Sequence, residues 1–171
     1  LAPVGMLRVR PEALDFDAIT VAPYMGSDSV QPFLDYAGKW TILLGLTSNA
    51  GAKDFELQQA GGELLYEKVM KTASQWGTPE NLMFVVGATQ ASEFENIRKI
   101  TPDHFYLVPG VGAQGGSLKN ISAKAMNKDV GILVNVSRAV IFASHGEDFA
   151  YKAGEAARKY RDEMAGYLHS S

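Results

Sequence analysis

Five short apolar runs, each leading into a Gly/Ser/Asn-rich turn and then an amphipathic stretch, constrain this chain more than any other feature. They span 18–22 (AITVA), 41–46 (TILLGL), 82–86 (LMFVV), 105–108 (FYLV) and 131–136 (GILVNV). Nearly continuous rather than alternating apolarity marks strands covered on both faces, as parallel strands are. The spacing predicts helices over about 27–36, 62–75, 91–100, 117–127 and 148–168. In the third, Phe94, Ile97 and Ile100 share one face. Asp28 and Ser92 suit first-turn or cap positions. Run starts lie 23 to 41 residues apart, the size of a βα unit. Five such units fit two architectures: a complete five-stranded doubly wound sheet, or part of an eight-stranded βα barrel, which typically needs about 250 residues.

In both architectures function sits at the carboxyl ends of the strands. The special residues gather there: Pro23 to Gly26, Thr47-Ser48-Asn49, Gly87-Ala88-Thr89, Pro109 to Gly116, and Ser137-Arg138. The segment Pro109-Gly-Val-Gly-Ala-Gln-Gly-Gly116 holds four glycines in eight positions. Closely spaced amides of this kind form a cradle for phosphate oxygens. Arg138, directly after the last apolar run, adds a planar donor for the same anion. Together they predict a phosphorylated small-molecule ligand.

Gly110, Gly112 and Gly115 also satisfy G-x-G-x-x-G, but a dinucleotide fold needs an acidic residue about twenty positions on. Here that region reads Leu133-Val-Asn-Val-Ser137, and the glycines follow the fourth run rather than the first. Both facts weigh against a dinucleotide. Ser48 and Asn49 either cap the next helix or hydrogen-bond the edge of a planar heterocycle. Lys53-Asp54 reads as a solvated first turn rather than a catalytic pair. His104, His145 and His169 share no spacing, and His104 falls at the opposite end of its strand, so no metal is expected.

Composition excludes further classes. The 171 residues are 46% hydrophobic with a net charge of −3, and their Lys and Arg are scattered, so a nucleic-acid partner is not expected. No run is long enough to cross a membrane. The absence of cysteine rules out disulfides and thiolate metal sites and fits a cytoplasmic protein. The chain opens at Leu1 rather than Met, which reads as a processed or partial product. Residues 1–12 show no periodicity and are expected to be a poorly ordered lead-in to a single domain over 13–171.

The segments LDFDAITVAPYMG (14–26), TSNAGAKDF (47–55), LLYEKV with its following QWG (64–77), FVVGAT (84–89), LVPGVGAQGG (107–116) and VNVSRAVIFAS (134–144) occur in this order. In them the chain resembles orotidine 5′-phosphate decarboxylase, in the longer bacterial form of that family. The resemblance implies a (β/α)8 TIM barrel, usually a homodimer, that converts orotidine 5′-monophosphate (OMP) to UMP and CO2 in pyrimidine biosynthesis without a cofactor. The five units would be strands four to eight of an incomplete barrel. Ser48 would bind the pyrimidine edge, and Gln114 would bridge base and phosphate. Gly115, Gly116 and Arg138 would hold the phosphate, while Pro109 and Val111 would line the apolar side near the departing carboxylate. The family's catalytic Lys/Asp network belongs to the early strands. Residues 1–12 contain neither Lys nor Asp but carry Arg8, Arg10 and Glu12. The expectation is therefore a fragment with phosphate and base contacts but negligible turnover, with a non-catalytic nucleotide-binding module of closed five-stranded architecture as the alternative.

Overall fold

The computed structural model describes residues 16–112 and 115–168. Five strands form one wholly parallel sheet: β1 (Ala18–Val21), β2 (Trp40–Leu46), β3 (Leu82–Val86), β4 (Tyr106–Pro109) and β5 (Ile132–Asn135). They lie in chain order, β1-β2-β3-β4-β5. A doubly wound sheet must reverse its strand order at a switch point. This one never does, so the doubly wound alternative is set aside. Each strand follows its neighbour in one direction around the sheet, as in a βα barrel. Among the described residues β1 and β5 remain the two edges, so the five strands do not close on themselves.

Between the strands lie α1 (Ser27–Leu34), α2 (Leu65–Ala73), α3 (Phe94–Ile100) and α4 (Leu118–Ala125). After β5 come a one-turn α5 (Arg138–Ile141) and a long α6 (Phe149–Leu168). Two 3-10 turns, Ala50–Asp54 and Ala88–Gln90, follow β2 and β3. Helix α1 starts at the expected residue, whereas α2 and α3 each start three residues later than the apolar spacing suggested. Gly61 and Gly62, with φ of 80° and 95°, keep the chain in a turn until Leu64, whose amide donates to Glu67 Oε2 at 2.7 Å. Ser92 does not cap α3; Glu93 occupies that position, and Ser92 hydrogen-bonds its carboxylate.

Parallel crossovers of one hand place successive helices on the same side of a sheet wound in one direction. Residues in register across the strands then share a face. Leu43, Phe84, Tyr106 and Val108 join Val30, Met70, Ile97 and Ile121 in the main core between sheet and helices. The opposite face carries a smaller cluster of Ile42, Met83 and Val85, flanked by Trp40, Leu44, Phe105 and Leu107.

Arg98 ties the amino-terminal end of this layer together. Its guanidinium donates to the carbonyls of Ala125, Thr101, Pro102, His104 and Gly131, and lies 3.9 Å from the centre of the Tyr106 ring. Burial lowers its pKa, the expected direction for a cation taken out of water. A single side chain thus satisfies the end of α4 and the turns before β4 and β5.

Candidate functional site

The carboxyl ends of β2 to β5 meet through unusually close backbone contacts. Gly45, at a bulge in β2, displaces the register so that Leu46 pairs with Val86 and the strand runs on into Thr47-Ser48. Ser48 Oγ rests directly on Gly87, where an added Cβ would stand 2.0 Å from it. Only glycine admits that approach. The hydroxyl is buried and has no hydrogen-bond partner. Gly116, beyond β4, packs against the next residue of the same turn: a Cβ there would lie 2.3 Å from Ala88 Cβ. Gly112 abuts α5 and α6, with Ala139 Cβ and the Tyr160 hydroxyl within 3.5 Å of a Cβ built on it. The turns after β2, β3, β4 and β5 therefore form one continuous rim.

Sequence-predicted residues fall on this rim with differing parts to play. Pro109 ends β4 opposite Asn135, in register with the face the helices leave bare. Val111 is 3% exposed and belongs to the main core, so it packs the base of the loop rather than lining open space. Gln114 lies outside the described residues. The amide of Gly115 donates to Gly112 O at 2.9 Å, that of Gly116 to Gly110 O at 3.2 Å, and that of Gly112 to Gly116 O at 3.2 Å. The glycine spacing suggested free donors; three of these amides instead hold the loop's own shape. Gly110, Gly112 and Gly115 all take positive φ, which explains why glycine recurs. Arg138 begins α5, is exposed, and forms no ion pair or side-chain hydrogen bond among the described residues.

Lys53 and Asp54 sit in the exposed 3-10 turn and make no ion pair with each other. His104 lies at the far end of β4, buried against Phe84 with ring centroids 5.4 Å apart. Among the described residues no cluster of His, Cys, Asp or Glu is placed to hold a metal, and no helix is long and apolar enough to cross a membrane.

One network escaped the sequence reading. Thr47 donates through its amide to Glu56 Oε2 and through its hydroxyl to Glu56 Oε1, both at 2.7 Å. Gln90 Nε2 donates to the Thr47 carbonyl at 3.1 Å. Asn49 Oδ1 lies 2.5 Å from the same Thr47 hydroxyl. One proton cannot serve two acceptors, so an Asn49 amide turned to donate fits better. Behind these turns the buried Tyr66 hydroxyl donates to Glu93 at 3.0 Å, and burial pushes its pKa up to about 12.

A rim of strand-end turns around a parallel sheet wound in chain order is the arrangement of a βα-barrel protein. Comparison with known proteins makes this specific. Residues 7–153 match the orotidine 5′-phosphate decarboxylase / HUMPS family, and the chain belongs to that family. It is 56% identical over 154 residues to orotidine 5′-phosphate decarboxylase of Phocaeicola vulgatus, covering 90% of this chain and 57% of that protein. Among solved structures it resembles Leishmania donovani OMP decarboxylase, with TM-score 0.76 and 35% identity, over 91% of this chain and 60% of the other. It also resembles Leishmania donovani UMP synthase, with TM-score 0.77 and 38% identity, over 89% of this chain and 34% of that one. The chain thus spans little more than half the length of the curated relatives it matches.

Proposed function

We propose that these residues form the phosphate-and-base side of an OMP decarboxylase, with β1 to β5 standing as strands four to eight of its barrel. The observation that carries this reading is the continuous rim, in which Ser48 and Gly116 pack on the same Gly87-Ala88 turn. A nucleotide laid along the rim would have its pyrimidine edge at Ser48 and its phosphate at Arg138 and the Gly115-Gly116 turn. Gln114 would link the two ends, and Pro109 would supply an apolar wall. The internal bonds of Gly115 and Gly116 shift most of the anion's attraction onto Arg138.

Loss of CO2 from OMP leaves an electron pair on the ring carbon. An adjacent carboxylate favours departure of the substrate carboxylate, and an ammonium stabilises and then protonates the carbanion. In the turn after β2, Lys53 and Asp54 are exposed and the Glu56 carboxylate is taken up by Thr47, so among the described residues neither part is filled. Phosphate binding contributes position and affinity, but on this reading the described residues give the carbanion no proton donor.

Calorimetry with UMP and a decarboxylation assay test both halves. Residues 1–171 should bind UMP and show negligible turnover, and Arg138→Ala should weaken binding by roughly 10- to 100-fold. Turnover near that of a full-length relative would overturn the catalytic half. UMP affinity unchanged in Arg138→Ala would overturn the assignment of the phosphate.

A further inference from the structure

Nothing in the chemistry above calls on Glu56, yet its carboxylate takes both donors of Thr47, one residue before Ser48. We infer that Glu56 is a positioning residue: by clamping Thr47 it orients the Ser48 hydroxyl, and so sets affinity for the base end of a nucleotide independently of the phosphate end. The inference rests on the reading of Ser48 as the contact to the pyrimidine edge.

The geometry supports a positioning part. Two carboxylate oxygens each accept one charge-assisted bond from the same residue, which fixes the Thr47 backbone and its χ1 together. The Thr47 carbonyl is held from the other side by Gln90, so all three polar groups of this residue are spoken for. Glu56 is itself anchored, because its carbonyl accepts from the Tyr66 amide at 2.9 Å, at the start of α2. Ser48 alone in this turn is left with a buried hydroxyl that has no partner. A polar atom buried without a partner costs free energy. Held rigidly at the site's rim, it is a hydroxyl kept ready for a ligand atom. Without Glu56, Thr47 and Ser48 are free to turn that hydroxyl toward water.

The test compares UMP with ribose 5-phosphate, which keeps the phosphate and lacks the base. Glu56→Ala should weaken UMP binding by about tenfold while leaving ribose 5-phosphate affinity unchanged. Glu56→Gln, which retains one acceptor oxygen for Thr47, should recover part of the loss. Equal loss for both ligands, or no loss for either, overturns the inference while leaving the phosphate assignment intact. If the unmutated chain binds UMP no better than ribose 5-phosphate, the reading of Ser48 itself fails, and the affinity part of this inference falls with it. Amide hydrogen exchange in the ligand-free chain decides the clamping part in every case. Exchange at Thr47 and Ser48 should rise in Glu56→Ala without a change at β3, and unchanged exchange would refute the clamp.

Discussion

The two faces of the sheet are built from the same kinds of residue and meet different fates. On one, Leu43, Phe84 and Tyr106 are all 0% exposed beneath the helices. On the other, Met83 and Val85 pack with Ile42 and no described helix joins their cluster, and Leu133 at the edge is 52% exposed. The run LMFVV contributes to both faces in alternation and is apolar throughout. Its composition therefore says that both sides need cover. The hand of the crossovers decides which side receives helices within this stretch of chain. The bare side is the one that a βα barrel turns inward.

If that contrast is real, truncations on the two faces should differ severalfold in cost. Phe84→Ala, on the helix side, should cost about 3–5 kcal/mol by denaturant unfolding, the usual range for an aromatic removed from a closed core. A loss below about 1 kcal/mol would mean that the helices pack loosely. A middle-sized effect comes from His104, whose two ring nitrogens are buried without partners at the end of β4. Burial holds its pKa below the ordinary 6.5, outweighing the opposing pull of Asp103 and Glu80, while Arg98 adds to the lowering. The unfolded chain therefore takes up a proton first as pH falls. Stability is full above about 6.5, declines below it, and stops declining once the folded imidazole is also protonated. His104→Phe should flatten that dependence in thermal melts between pH 7 and 5, and an unchanged slope would assign it elsewhere. Leu133→Ser, on the bare face, should move stability by no more than about 0.5 kcal/mol. It should also reduce binding of an apolar dye, and a large destabilisation would show that this face is already packed.

Much of this architecture was readable in advance because the strands advertise themselves. The run at 82–86 matches β3 residue for residue, since every position is buried on one face or the other. Strand order could not be read, because apolar runs carry no pairing information, and chain-order and doubly wound sheets share the same spacing. Ser48, Pro109 and Arg138 were identifiable as strand-end residues. The Thr47–Glu56 clamp was not, because its partners stand nine positions apart across a 3-10 turn and no periodicity links them. Nothing in the sequence marks Arg98, because only the fold brings the carbonyls of Ala125 and Gly131 to it. The internal bonding of Gly115 and Gly116 was equally hidden, since a glycine-rich loop reads alike whether its amides face a ligand or one another.

The chain-order arrangement bears on how this part of the molecule comes together. No strand begins more than 42 residues after the one it pairs with, the longest gap running from Trp40 to Leu82. Pairings of this separation need less loop closure than pairings across the whole chain would. Each unit can dock on its predecessor soon after leaving the ribosome, and growth at an edge strand leaves the layers already formed undisturbed.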